Sequence, residues 1–147
     1  MKIHDIMTKN PSYVTAGASV REAAQLMLAE DVGFVPVVDA ADHDQLIGVI
    51  TDRDIAIRCV ADGKDGTCRV RDAMSSGKLA TCSENAEIDA VIDTMRVEKV
   101  RRIPIVDDRG SLVGIVSQAD VLLKTYDGHR AEQAIEQISQ PGGAHTR

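Results

Sequence analysis

Apolar positions along the chain fall into two kinds of stretch. Val20, Ala23, Ala24, Met27 and Leu28 recur at spacings of three and four, as do Ile88, Val91, Ile92 and Met95, and this predicts two amphipathic helices. Ser19, with Glu22 three residues on, gives the first helix a capping box. Each helix is followed by a β-branched run, Val35-Pro36-Val37-Val38 or Ile103-Pro104-Ile105-Val106. A polar turn comes next (39–45, or 107–110), then a second apolar run (46–50, or 112–116). A further helix is expected to begin near Asp52 and near Gln118. Proline cannot donate to a sheet ladder, so the strands of Pro36 and Pro104 are expected to lie at a sheet edge or to meet one there.

That order, strand–helix–strand–strand–helix, is written twice. Residues 32–39 (VGFVPVVD) and 100–107 (VRRIPIVD) share four of eight positions, and two more exchange Val for Ile. LIGVITDRDI at 46–55 answers LVGIVSQADV at 112–121, and Asp5-Ile6-Met7 answers Asp72-Ala73-Met74. The period is about 66–68 residues. One repeat alone buries its apolar faces poorly, so the two are expected to share a core. The boundaries read as repeat 1 over 4–60, a linker over 61–70, repeat 2 over 71–125, and a C-terminal helix with a disordered tail over 126–147. In that last part Ala131, Ala134, Ile135 and Ile138 have helical spacing, and Pro141-Gly142-Gly143 ends the pattern.

Composition narrows the function. Acidic residues outnumber basic ones, 23 to 17, for a net charge of −6. Nucleic acid needs a basic face, and single-strand binders need aromatic platforms, whereas Tyr13, Phe34 and Tyr126 are the only aromatic residues. No run of about 18 apolar residues is present to span a membrane. Polar residues enter by Lys2, too early for a secretory signal, so a cytoplasmic location is expected. Cys59, Cys68 and Cys82 are odd in number and read as reduced thiols. None has C-x-x-C spacing and the four histidines are scattered, so no zinc site is expected. A Ser–His–Asp pattern and a Walker loop are also missing, which argues against an enzyme.

The chemistry concentrates in Gly48-Val49-Ile50-Thr51-Asp52-Arg53-Asp54 and its echo Gly114-Ile115-Val116-Ser117-Gln118-Ala119-Asp120. In both, a buried strand ends in a hydroxyl residue with a carboxylate three residues later. One reading is a helix cap, in which Thr51 or Ser117 caps and the Asp favours the positive helix end. The other is a ligand site. A ribose offers two vicinal hydroxyl donors to a carboxylate, and a helix N-terminus accepts an anion, so the pair points to a nucleotide more than to a bare phosphate. Arg53 and the pair Arg101-Arg102 are available for phosphate, or are a solvated charged face. The Gly in each strand marks either a close backbone approach or a bulge.

The Asp-x-Met opening, the apolar-x-Pro-apolar-apolar-Asp strand and the Gly-x-x-Thr/Ser-x-x-Asp motif, present in both halves, together resemble a tandem pair of cystathionine β-synthase (CBS) domains, a Bateman module, over about residues 4–125. The resemblance is to the small stand-alone bacterial CBS-pair proteins, related in sequence to the regulatory insert of IMP dehydrogenase. It implies an α+β fold, with two β-α-β-β-α repeats packed sheet to sheet in pseudo-two-fold symmetry. It also implies two clefts for an adenine nucleotide such as AMP, ADP, ATP, NAD or S-adenosylmethionine, with no catalytic cofactor. Asp54 with Thr51, and Asp120 with Ser117, would then meet ribose and phosphate. Asn10, Ser12 and Tyr13 would contact the base in the Asp120 cleft, and Lys78 and Ala80 in the Asp54 cleft. Val32, Gly33, Phe34, Val100, Arg101 and Arg102 would line the clefts.

Ala119 stands where the first motif has Arg53, and Gly33-Phe34 stand where the second repeat has Arg101-Arg102, so the clefts are expected to differ. The function implied is a regulatory, signal-transducing module that passes its ligand state to an unidentified protein partner or to its own homodimer. The alternative is a structural or assembly protein with vestigial clefts.

Overall fold

A computed structural model describes residues 1–42, 44–124 and 136. After a single 3-10 turn (Ile3–Asp5) the elements are β1 (Thr8–Lys9), β2 (Val14–Thr15), α1 (Val20–Glu30), β3 (Phe34–Val38), β4 (Leu46–Thr51) and α2 (Asp52–Ile55). A π turn (Ala56–Val60) continues α2. Then follow α3 (Val70–Ala73), β5 (Cys82–Ser83), α4 (Ile88–Glu98), β6 (Arg102–Val106), β7 (Leu112–Ser117) and α5 (Gln118–Lys124). The strand–helix–strand–strand–helix order occurs twice, as β2-α1-β3-β4-α2 and β5-α4-β6-β7-α5, in a mixed α+β fold. The helix expected over 131–138 and the tail fall outside the described residues, save Glu136.

The chain forms two compact units, Ser12–Leu79 and Met1–Pro11 with Ala80–Arg147. The first holds a sheet ordered β2-β3-β4, and the second a sheet ordered β1-β7-β6-β5. In each unit one two-residue strand, β2 or β5, runs parallel to the proline strand, which pairs antiparallel with the next; β1 adds an antiparallel edge to β7 in the second unit. Each unit has its own core. Val20, Ala23 and Met27 of α1 pack with Val35, Val37 and Ile50 in one. Ile88, Val91, Ile92 and Met95 of α4 pack with Ile103, Ile105 and Val116 in the other. The α1 capping box forms as expected: Glu22 N donates to Ser19 Oγ at 3.2 Å, and Ser19 N donates to Glu22 Oε2 at 2.8 Å.

The proline strands are central, not peripheral, because β2 and β5 flank them. The prolines are tolerated for a local reason. Pro36 lies opposite Val49, whose N–H and C=O both turn away from β3 to pair with Ser75. By the alternation of an antiparallel ladder, the Pro36 nitrogen faces the β2 side. There β2 covers only Val37 and Val38, so no hydrogen bond is lost.

The strand glycines combine both expectations. A register shift puts one extra residue, Ile47 or Val113, immediately before Gly48 or Gly114. The glycine itself admits the Asp-x-Met opening segment. A Cβ at Gly48 would lie 2.8 Å from the Ser75 carbonyl oxygen and 3.0 Å from Met74 Sδ. A Cβ at Gly114 would strike Met7 Sδ and lie 3.1 Å from the Thr8 carbonyl oxygen. After each methionine the chain turns in the left-handed region, at Asn10 (φ 51°) and at Gly77 (φ 87°).

The segment 61–70 is stitched to α1. Val20 N donates to the Cys68 carbonyl at 2.8 Å, Arg21 N to that of Gly66 at 3.2 Å, and Val70 N to that of Ala18 at 2.8 Å.

Candidate functional site

Each motif forms a closed box at the junction of strand and helix. Thr51 N donates to Asp54 Oδ2 at 3.0 Å, and Asp54 N donates back to Thr51 Oγ1 at 3.1 Å. Ser117 N donates to Asp120 Oδ2 at 2.9 Å, and Asp120 N donates to Ser117 Oγ at 3.1 Å. The cap reading is thus realised twice, with distances that agree to within about a tenth of an ångström. It does not exhaust the carboxylate, because each box uses one oxygen and leaves Oδ1. Among the described residues Asp54 Oδ1 has no partner, whereas Asp120 Oδ1 lies 3.5 Å from the Lys124 ammonium.

Sheet register sets further predicted residues beside the boxes. Phe34 faces Thr51 across β3 and β4, and Arg102 faces Ser117 across β6 and β7. The preceding backbone joins in: Asp52 N donates to the Gly33 carbonyl at 3.0 Å, and Gln118 N to the Arg101 carbonyl at 2.9 Å. The Asp52 carboxylate lies against Gly33: a Cβ there would be 2.8 Å from Asp52 Oδ2, which the exposed Asp52 side chain would have to yield. At the matching place the second unit carries Arg101 over a neutral Gln118. The first box therefore has an extra carboxylate beside it, and the second has arginines.

The other expected residues divide between the units. In Ser12–Leu79, Thr51 and Phe34 are buried, Val32, Gly33, Arg53 and Asp54 are half-buried, and Tyr13 and Lys78 are exposed. There the Ser12 hydroxyl donates to Glu30 Oε1. In the other unit Val100 is buried, Ala80, Arg102, Ser117 and Asp120 are half-buried, and Asn10 and Arg101 are exposed.

Sequence reasoning missed a pair of cations. Arg58, four residues after Asp54, donates through one nitrogen to the carbonyls of Ala73 (3.2 Å) and Met74 (2.8 Å). Lys124, four after Asp120, donates to the Ile6 carbonyl at 3.0 Å. Both tie the motif helix to the opening segment that lies against the strand glycine. The signal was present as a basic residue at the fourth position after the motif aspartate in both repeats. Also missed was Gln118, whose Oε1 is buried with no hydrogen-bond partner among the described residues.

The CBS domain family model matches residues 3–60 and 70–126. The chain belongs to the CBS-domain family. Uncharacterized protein YlbB of Bacillus subtilis is 37% identical over 139 residues, covering 95% of this chain and 92% of that protein. The crystal structure of Hypoxic Response Protein I with two coordinated zinc ions superposes with a TM-score of 0.74 at 33% identity, covering 82% of this chain and 96% of that one. The CBS domain pair of protein MJ0100, in complex with 5-methylthioadenosine and S-adenosyl-L-methionine, gives 0.71 at 29% identity, covering 82% and 92%. Among this chain's described residues, no group of three or more His, Cys, Asp or Glu side chains could hold a metal ion, and no helix is long and apolar enough to cross a membrane.

Proposed function

We propose that this CBS pair is a regulatory module that binds adenosine-containing ligands, with Asp54 and Asp120 each accepting from the two ribose hydroxyls. The observation that carries the reading is the doubled hydroxyl–carboxylate box whose carboxylate keeps an oxygen beyond the one its cap consumes. The box pre-orients the acid, so little side-chain entropy is lost when a diol docks. The MJ0100 pair, with two adenosine compounds bound, supports the same ligand class. Residues 10–13 and 78–80 supply base contacts, and Arg53, Arg101 and Arg102 meet phosphate where the ligand has it. Binding then shifts the protein between two states for which the ligand has different affinity, and a partner protein or a second copy reads the result. The chemistry is recognition and not catalysis.

Calorimetric titration of the full chain with adenosine, AMP, ATP, NAD and S-adenosylmethionine tests this. Binding by wild type, weakened at least tenfold in Asp54→Asn or Asp120→Asn, is the expected result. A specific observation favours the competing assembly role: each box closes on its own hydroxyl, carboxylate and backbone N–H groups as a helix cap. No heat and no thermal shift with any of the five compounds would leave that role standing.

A further inference from the structure

The π turn and the segment after it bring two cysteines together away from the motif boxes. Cys59 lies in the π turn and is 1% exposed. Its Sγ donates to the Asp65 carbonyl at 3.3 Å and toward that of Lys64 at 3.8 Å. Cys68 N donates to the same Asp65 oxygen at 3.1 Å. One carbonyl is thus shared by the side chain of the first cysteine and the backbone of the second. Both cysteines also pack into one apolar cluster. Burial pushes the Cys59 thiol up, and the facing Cys68 side chain pushes it further.

Their exposure differs. Cys68 is half-buried and lines an open polar groove of about 430 Å³, with Lys64, Thr67 and Arg69 beside it. Cys59 is not part of that lining. The backbone is held at both places: Lys64 N donates to the Cys59 carbonyl at 2.9 Å, and Val20 N to the Cys68 carbonyl at 2.8 Å. Neither cysteine is engaged in a disulfide.

We propose that Cys68 and Cys59 form a peroxide-responsive thiol–disulfide pair, in which Cys68 is the modified residue and Cys59 resolves it. The Cys68 sulfur attacks hydrogen peroxide; the O–O bond breaks, an S–O bond forms, and the thiol proton leaves with the departing oxygen as water. The Cys59 sulfur then attacks the sulfenic sulfur; the S–O bond breaks, the S–S bond forms, and the Cys59 proton leaves with hydroxide as a second water. Two thiols lose two electrons and peroxide gains them. The resting thiols suit a reducing compartment, where such disulfides are transient and sensing. The inference is independent of the nucleotide reading.

Trypsin cuts after Arg58, Lys64 and Arg69 and so separates the two cysteines into peptides 59–64 and 65–69. The full-length protein, reduced, treated with hydrogen peroxide, alkylated with N-ethylmaleimide and digested, should yield these peptides joined and two hydrogens lighter than their sum. Cys82 is the internal control. It sits in the other unit with Sγ 3.6 Å from Thr94 Oγ1, and it should remain alkylated. In Cys59→Ser, dimedone should trap a sulfenic acid on Cys68. Cys59→Ala, which keeps an apolar atom in the cluster, gives the same readout if the serine does not fold. In Cys68→Ser, Cys59 should stay reduced. The proposal is overturned if wild-type Cys59 remains fully alkylatable after peroxide, whether Cys68 is oxidised or not. It is also overturned if the linked peptide carries Cys82.

Discussion

Lys124 reaches back 118 positions to the carbonyl of Ile6, 3.0 Å away, while lying 3.5 Å from the carboxylate of Asp120. One ammonium thus joins the last described helix, the motif aspartate and the opening segment of the chain. Arg58 does the matching work in the other unit, but it donates to carbonyls and leaves Asp54 Oδ1 without a partner among the described residues.

Replacing Lys124 by methionine removes the tie and the ion pair but keeps the stem. The side chain is 46% exposed, so water screens much of the interaction. The expected loss is about 1 kcal/mol, read as a lower midpoint in urea at unchanged slope. An unchanged midpoint would show that the contact carries no stability.

Alanine at the strand glycines tests the close approach. Gly48→Ala and Gly114→Ala should each cost about 1–3 kcal/mol by overpacking. Gly48→Ala should cost more, because its new methyl meets a backbone oxygen at 2.8 Å, whereas the main obstacle at Gly114 is the flexible Met7 side chain. The reverse order in denaturant melts would contradict this packing.

The two boxes should discriminate ligands by charge. Asp52 puts a carboxylate beside Gly33, and the second unit has Arg101 and Arg102 near Ser117. Each added phosphate should therefore strengthen binding at the Asp120 box more than at the Asp54 box. Titrating Asp54→Asn with adenosine and then ATP should show a large, salt-sensitive gain, and Asp120→Asn a small one. Equal gains would contradict the asymmetry.

Stability should fall at both ends of the pH range. Lys2, through a hydrogen bond and its charge, holds Glu87 below the ordinary carboxylate range; Thr67 lowers Asp65 by hydrogen bonds. A depressed folded pKa stabilises above the unfolded value, so stability is lost as pH drops below about 4 toward the folded values. Burial raises Cys59, and burial also raises Cys82. A raised folded pKa stabilises below the unfolded value, so stability declines as pH climbs above about 8.5. Urea midpoints from pH 3 to 10 check both flanks. In Cys59→Ala the alkaline decline should be shallower.

What was legible in the sequence was local. The helices show in the spacing of Val20 to Leu28 and Ile88 to Met95, and the boxes in pairs three residues apart. What escaped depends on chain segments far apart. β2 and β5 have two residues each, too few to display alternation, so the sequence left open whether the strands of Pro36 and Pro104 lie at a sheet edge or meet one there. Asp31 and Lys99 end α1 and α4 in left-handed conformation without a glycine to announce the stop. Arg58 makes contacts 15 and 16 positions away, and no periodicity encodes them. Gln118 marked only the start of a helix in the sequence, and nothing local announced that the fold would bury its amide oxygen.

The duplicated stretch of gene and the piece that folds are out of phase. Residues 1–11 close the sheet of the later copy, and Val70–Ala73 sits in the core of the earlier one. Trimming the chain at its repeat boundary would amputate a lid from one half and leave it capping nothing in the other. Each copy draws part of its fold from the other's stretch of chain, so a clean deletion of one repeat removes pieces of both folded halves.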